Sequence, residues 1–188
     1  DSDKAIRDAK LWAVENGYVN NASELNLLDG VADLFGGKAF KISFKQPPYN
    51  GLPVLPGVTG GYLDIFINSN GVFRANGFFY KDIQAPTEPV ISEHEIKNKI
   101  IGKELVFYNY EGQKIIWKIE KDDLKPDPLT NKNTSIVIYV KERSDTNFLE
   151  YHTVWAIPVT KTVDGFVYPW TVFIDAINSR LAVSQRMN

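Results

Sequence analysis

The chain contains no cysteine. Disulfides, thiol nucleophiles and thiolate metal sites are thereby excluded, and packing and hydrogen bonds must hold the fold. Histidine is nearly as scarce, with His94 and His152 alone, which leaves little imidazole for a metal or a general base. No apolar run approaches the roughly 18 consecutive residues that read as a membrane-spanning helix. An excess of one charge is missing too: 21 Lys and Arg stand against 23 Asp and Glu, a formal net charge of −2. Without a long basic block there is no electrostatic footprint for nucleic acid. Also absent are His-Glu-x-x-His, Gly-x-Ser-x-Gly, a phosphate-binding glycine loop and a dinucleotide fingerprint. What the chain does have is 188 residues that are 44% hydrophobic and 13% aromatic. That is enough for one domain or two small ones, and it argues against disorder.

Periodicity lays out the first half. Ala5, Ala9, Trp12 and Ala13 recur at helical spacing between Asp3, a fitting N-cap, and Gly17 at the C-terminal cap. Leu25, Leu28, Ala32 and Phe35 have the same spacing, so a short helix is expected within 20–34, stopped by Gly36-Gly37. Phe40, Ile42 and Phe44 alternate with polar or small residues, the period of a half-buried strand. Strands are expected again over Tyr62–Asn68 and Val72–Tyr80. Asn70-Gly71 between them predicts a type I′ hairpin turn, which needs positive φ at both central residues.

A short Pro-bearing connector, Gln84 to Pro89, separates this half from a second with the same order. Ser92-Glu93-His94-Glu95 is a capping box, with Ile91 at the staple position and Ile96, Ile100 and Ile101 as an apolar face. Strand-like Val106–Tyr108 and Lys114–Glu120 follow, joined by a turn at Glu111-Gly112. A polar loop over Lys121–Asn133 leads to Ser135–Val140, an almost unbroken apolar strand, and Lys141–Asn147 reads as another loop. The chain closes on a hairpin of Val154–Val159 and Trp170–Ile174 about Asp164-Gly165, then a third strand at Leu181–Val183. Helix plus antiparallel strands, stated twice, implies an α+β fold in which each helix lays its apolar stripe on one sheet face.

Two stretches resemble known families. Trp170-Thr171-Val172-Phe173-Ile174-Asp175-Ala176, with Asn178 and Leu181, resembles the closing strand pair of PepSY domains, and Val154–Val159 stands where the preceding strand of that family lies. Ser179 replaces the family's turn glycine, and Asn178 is expected to take up the left-handed conformation instead. Upstream, Tyr49, Gly51, Pro53, Val54, Gly60, Gly61, Ile65, Gly71, Val72, Asn76 and Gly77 match the motif of the FTP propeptide module, with Leu55–Thr59 inserted in its loop. FTP followed by PepSY is the order in thermolysin-like peptidase propeptides, and the two stretches cover roughly two-thirds of the chain. The resemblance implies two cystatin-like or PepSY-like units in tandem, an FTP-like unit over 1–83 and a PepSY-like unit over 90–188.

The same resemblance implies a non-enzymatic, extracytoplasmic protein-binding module, inhibiting or assisting the folding of a peptidase. The alternative is an envelope adaptor of the YycI type that regulates a sensor histidine kinase. Because the first residue is Asp1 and not Met, the sequence leaves room for a signal or anchor ahead of it. No cofactor and no metal is expected. Glu93, His94 and Glu95 lack the three or four convergent ligands that zinc needs, and Glu95 serves the capping box. His152 lies on a strand next to Tyr151 and reads as a cross-strand neighbour, not as a catalyst. Asp122, Asp123, Asp127 and Asp145 do not match a calcium loop. Trp117, Trp155 and Trp170 lie on strands and read as core. For a protein partner, Ser135, Ile136, Val137, Ile138, Tyr139 and Val140 form a candidate edge strand to which an extended peptide can add. A central position suits the almost unbroken apolar run of this strand better.

Overall fold

A computed structural model describes residues 1–55, 60–108, 112–126, 131–143, 148–163, 165–178 and 181–186. Several sequence expectations fall outside them: the loop insertion at Pro56–Thr59, Glu111, Asp127, Asp145, Asp164 and Ser179. In chain order the elements are α1 Ser2–Glu15, β1 Asn26–Leu27, β2 Ala32–Leu34, β3 Ala39–Lys45, β4 Val54–Leu55, β5 Tyr62–Asn68 and β6 Gly71–Phe78. Then come α2 Glu93–Ile100, β7 Glu104–Tyr108, β8 Lys114–Lys118, β9 Ser135–Arg143, β10 Phe148–Val163, β11 Phe166–Asp175 and β12 Leu181–Arg186. The fold is α+β; among the described residues β1 with β3, β2 with β3, β3 with β5, β5 with β6, β7 with β8, β10 with β11 and β11 with β12 pair antiparallel, and β4 with β9 pairs parallel. Among the described residues no helix is long and apolar enough to cross a membrane. The chain divides into two units, Asp1–Gln84 with Ile138–Tyr151, and Ala85–Val137 with His152–Asn188.

In the first unit α1 starts two residues earlier than expected, because the Asp1 carboxylate accepts from Asp3 N–H at 3.0 Å. It ends in a Schellman arrangement: Gly17, at φ +71°, lets its own N–H reach Val14 O and the Tyr18 N–H reach Ala13 O. Ala5, Ala9 and Ala13 are its buried residues. They lie on a sheet ordered β1-β3-β5-β6, with β2 also pairing β3. Ile42, Phe44, Leu63 and Ile65 fill the space beneath. The helix expected within 20–34 is replaced by a 3-10 turn, Ala22–Glu24, capped by Asn21, and by the short strands β1 and β2. Of the helically spaced leucines Leu25 is buried while Leu28 is exposed and gives its N–H to Ser43 O. Pairing with β3 has overridden the local period.

The hairpin of β5 and β6 has the expected place but a different turn. Gly71 alone has positive φ, +109°, while Asn70 does not, and Asn68 Oδ1 accepts from Asn70 N–H at 2.8 Å. An Asx turn ahead of one glycine therefore does the work expected of type I′ geometry. Positive φ at two successive central residues is found instead at Asn50 (+47°) and Gly51 (+81°), where Tyr49 and Leu52 exchange both backbone hydrogen bonds at 2.9 Å.

In the second unit α2 begins with the expected capping box. Ser92 N–H donates to Glu95 Oε2 at 3.1 Å and Glu95 N–H donates to Ser92 Oγ at 3.3 Å. The Ser92 hydroxyl also donates to Glu95 Oε2, at 2.8 Å, and this side-chain bond first, then the Ser92 N–H bond, stabilise the ionised Glu95 carboxylate and lower its pKa. Ile96 and Ile100 turn inward onto Trp117, Trp155, Trp170 and Val172. The Trp117 and Trp170 rings meet edge to face at 6.4 Å, and Trp155 Nε1–H donates to Ile91 O at 2.8 Å. These tryptophans are core, as their strand positions predict. β10 pairs with β11 and β11 with β12 in antiparallel register, giving the three consecutive strands expected at the C-terminal end. Asn178 is not left-handed. The β11–β12 turn is held by Asp175 Oδ1, which accepts from Ile177 N–H at 2.8 Å and Asn178 N–H at 3.0 Å.

Candidate binding edges

Among the described residues, acidic and imidazole side chains do not gather into a site. Glu93 is paired to Lys97 at 2.5 Å, His94 Nε2 lies 3.1 Å from Asn98 Nδ2, and Glu95 is committed to the cap. His152 Nδ1 is 3.6 Å from Asp175 Oδ2, a carboxylate already closing a turn. Asp123 is buried and accepts from Glu120 N–H at 2.8 Å, which makes it part of the 3-10 turn Lys121–Asp123. Among the described residues no group of three or more such side chains is arranged to hold a metal ion. A recess beside Glu93, Lys97, Lys125 and Pro158 holds about 70 Å³, far short of the size at which ligand clefts begin.

Strand edges are better developed. Ser135–Val140, the edge expected from sequence, belongs to β9. Val137, Ile138 and Val140 are buried, Ile136 and Tyr139 half-buried, and Ser135 exposed. Within the first unit β9 lies between β10 and β4. The parallel pairs Val54↔Ile138 and Leu55↔Tyr139 occupy its outer side, and Ile138 N–H donates to Pro53 O at 2.8 Å. At Ile138 and Tyr139, then, the ladder position that a partner strand needs is already taken by two residues from a loop.

The terminal strand of the first unit's α1-covered sheet is β6, which pairs with β5 alone among the described strands. Its outer face is aromatic. Phe73 is 54% and Phe78 42% exposed. Phe66 on β5 lies 6.3 Å from Phe73, and the Arg74 guanidinium stands 5.4 Å over the Phe66 ring. Beside them Asp64 accepts from Ser43 Oγ at 2.6 Å and is paired to Lys41 at 2.9 Å. Two glycines make this face possible. A Cβ on Gly60 would overlap the Phe78 ring, and one on Gly77, at φ +91°, would overlap Tyr62. Both aromatic rings lie directly on backbone, so Gly60 and Gly77, two of the residues that carry the FTP-like motif, set the shape of the edge. Behind the face, Tyr80 meets Phe78 at 5.5 Å and Tyr151 at 6.4 Å. The Tyr151 phenol has a raised pKa, from burial first and then from the Asp82 charge. Sequence reasoning passed over β6 as an edge because order within a sheet is non-local. The signal available was Phe73-Arg74 on a hairpin whose alternating positions already suffice to fill the core.

No family model matches the chain, and no curated protein matches it. Among solved structures it is similar to the Bacillus megaterium YpeB C-terminal domain, with 11% identity and a TM-score of 0.39, over 100% of this chain and 66% of that one. The chain thus spans just under two thirds of that structure's length. A likeness this distant assigns neither activity nor partner.

Proposed function

We propose that this is a non-enzymatic, extracytoplasmic protein-binding module of the PepSY and FTP kind, which engages a peptidase as inhibitor or folding assistant by accepting an extended segment along β6. The observation that carries the reading is the eight-residue strand Gly71–Phe78, which among the described strands is paired on one side, with exposed Phe73 and Phe78 on its outer face. An edge offers main-chain hydrogen bonds for affinity, and alternate side chains supply specificity. Exposed aromatics are the residue type that most often anchors an interface. A folded scaffold with a fixed edge pays little ordering cost on binding.

The test is incubation of the purified chain with a panel of secreted thermolysin-like metallopeptidases, following both their activity and their yield on refolding. Dose-dependent inhibition or improved refolding of at least one peptidase is expected, and Phe73→Ala with Phe78→Ala should weaken it. No effect on any of them, together with binding to the extracytoplasmic domain of a sensor histidine kinase, would replace this reading with the adaptor.

A further inference from the structure

The second unit has an open edge of a different character. β7 and β8 form a two-stranded sheet of their own, in the register Leu105↔Trp117 and Val106↔Ile116. Leu105 and Trp117 are buried, so the opposite face of the hairpin turns outward, with Val106 47% and Ile116 55% exposed. Ile119 N–H donates to Lys103 O at 2.9 Å. By alternation the backbone groups of Trp117 and Ile115 also point to β7, while those of Lys114, Ile116 and Lys118 point away from it. Among the described residues no backbone group pairs with that outer side. The side chains of the same three residues share one face, since residues two apart do. The open edge therefore presents a row of lysine, isoleucine and lysine. Among the described residues neither Lys114 nor Lys118 is in an ion pair, although Glu104 stands opposite Lys118 on β7.

We propose that the β8 edge takes up an extended polypeptide strand whose alternate residues are acidic, apolar and acidic. In an antiparallel addition centred on Ile116 the partner's apolar residue covers Ile116, and its two acids lie opposite Lys114 and Lys118. Cross-strand opposite charges attract and like charges repel. The same row therefore rejects a second copy of itself, because antiparallel self-addition about Ile116 sets Lys114 of one copy against Lys118 of the other at both ends. Edge lysines guard sheets against self-association in this way, and a partner of opposite charge turns the guard into a selector. This holds whether or not a peptidase is the partner of the first unit.

The experiment titrates the acetylated, amidated peptide Thr-Glu-Thr-Val-Thr-Glu-Thr into the isotope-labelled full chain and follows backbone amides by NMR. The amides of Lys114, Ile116 and Lys118 are expected to shift and those of β6 to stay. The double variant Lys114→Glu, Lys118→Glu should bind about tenfold more weakly, the sum of two modest cross-strand charge pairs. It should in turn prefer the peptide with lysine in place of glutamate. Ile116→Pro removes an N–H that serves no ladder bond, so it should keep the thermal transition and lose the peptide-induced shifts. The proposal is overturned if millimolar peptide leaves the β8 amides of the wild-type chain unmoved, or if the charge-reversed variant binds the glutamate peptide as tightly as the wild type does.

Discussion

Both units bury a helix on an antiparallel sheet, but they assign the core's volume differently. In the first, α1 brings only Ala5, Ala9 and Ala13 inward, and the depth is filled from the strands by Ile42, Phe44, Leu63 and Ile65. In the second, the eight residues of α2 contribute Ile96 and Ile100 against three tryptophans. A long helix with a small-residue stripe can lie close to its sheet and gains its hold from length. A short one must be anchored by large side chains and a good cap, because two turns of helix have almost no stability of their own. The edges differ in the same spirit: β6 carries aromatics, β8 carries lysines about an isoleucine.

The contrast can be broken by substitution. Phe44→Ala removes the strand-borne volume of the first unit and should cost about 3–5 kcal/mol, read as a lowered urea midpoint. Ile96→Ala in α2 should cost about 2–4 kcal/mol for the same reason. If helix volume mattered equally in both units, enlarging α1 would be harmless. Ala9→Leu should instead cost about 1–3 kcal/mol, because the close approach leaves no space for added methylenes. Ser92→Ala, which removes the cap of α2, should cost about 1 kcal/mol.

The smallest effect is one of pH. The folded pKa of Glu95 is lowered from its ordinary 4.5, so the stabilisation it gives is present above that value and is lost as pH falls through the lowered folded pKa. Acid titration of the urea midpoint should show this dependence in the wild type. It should be reduced in Glu95→Gln, which leaves the first unit's caps untouched.

Much of this was readable in the sequence where the cause is local. The Ser92 capping box, the alternation of Ile42 with Phe44 and the three strands at the C-terminal end are written in neighbouring residues, and each appears in the structure. Where a distant partner decides, local reading fails. Leu25 and Leu28 have helical spacing, yet β3 draws their segment into strands. Nothing near Val54 announces that two residues will bridge to Ile138 and Tyr139 and occupy the edge expected there. At turns the residue type was informative and the geometry was not: Asn50-Gly51 takes up the paired positive φ expected of Asn70-Gly71. Asp175, and not a left-handed Asn178, closes the β11–β12 turn. Which strand ends a sheet is the least local property of all, and so β6 emerged only from the fold.

Residue-resolved amide hydrogen exchange on the full chain tests most directly whether β6 is an uncovered edge. Along Gly71–Phe78 the amides directed at β5 should be protected, and those directed away should exchange near the rate of an unstructured peptide, in alternation. Uniform protection across the strand would mean that its outer side is already covered, and would contradict the account.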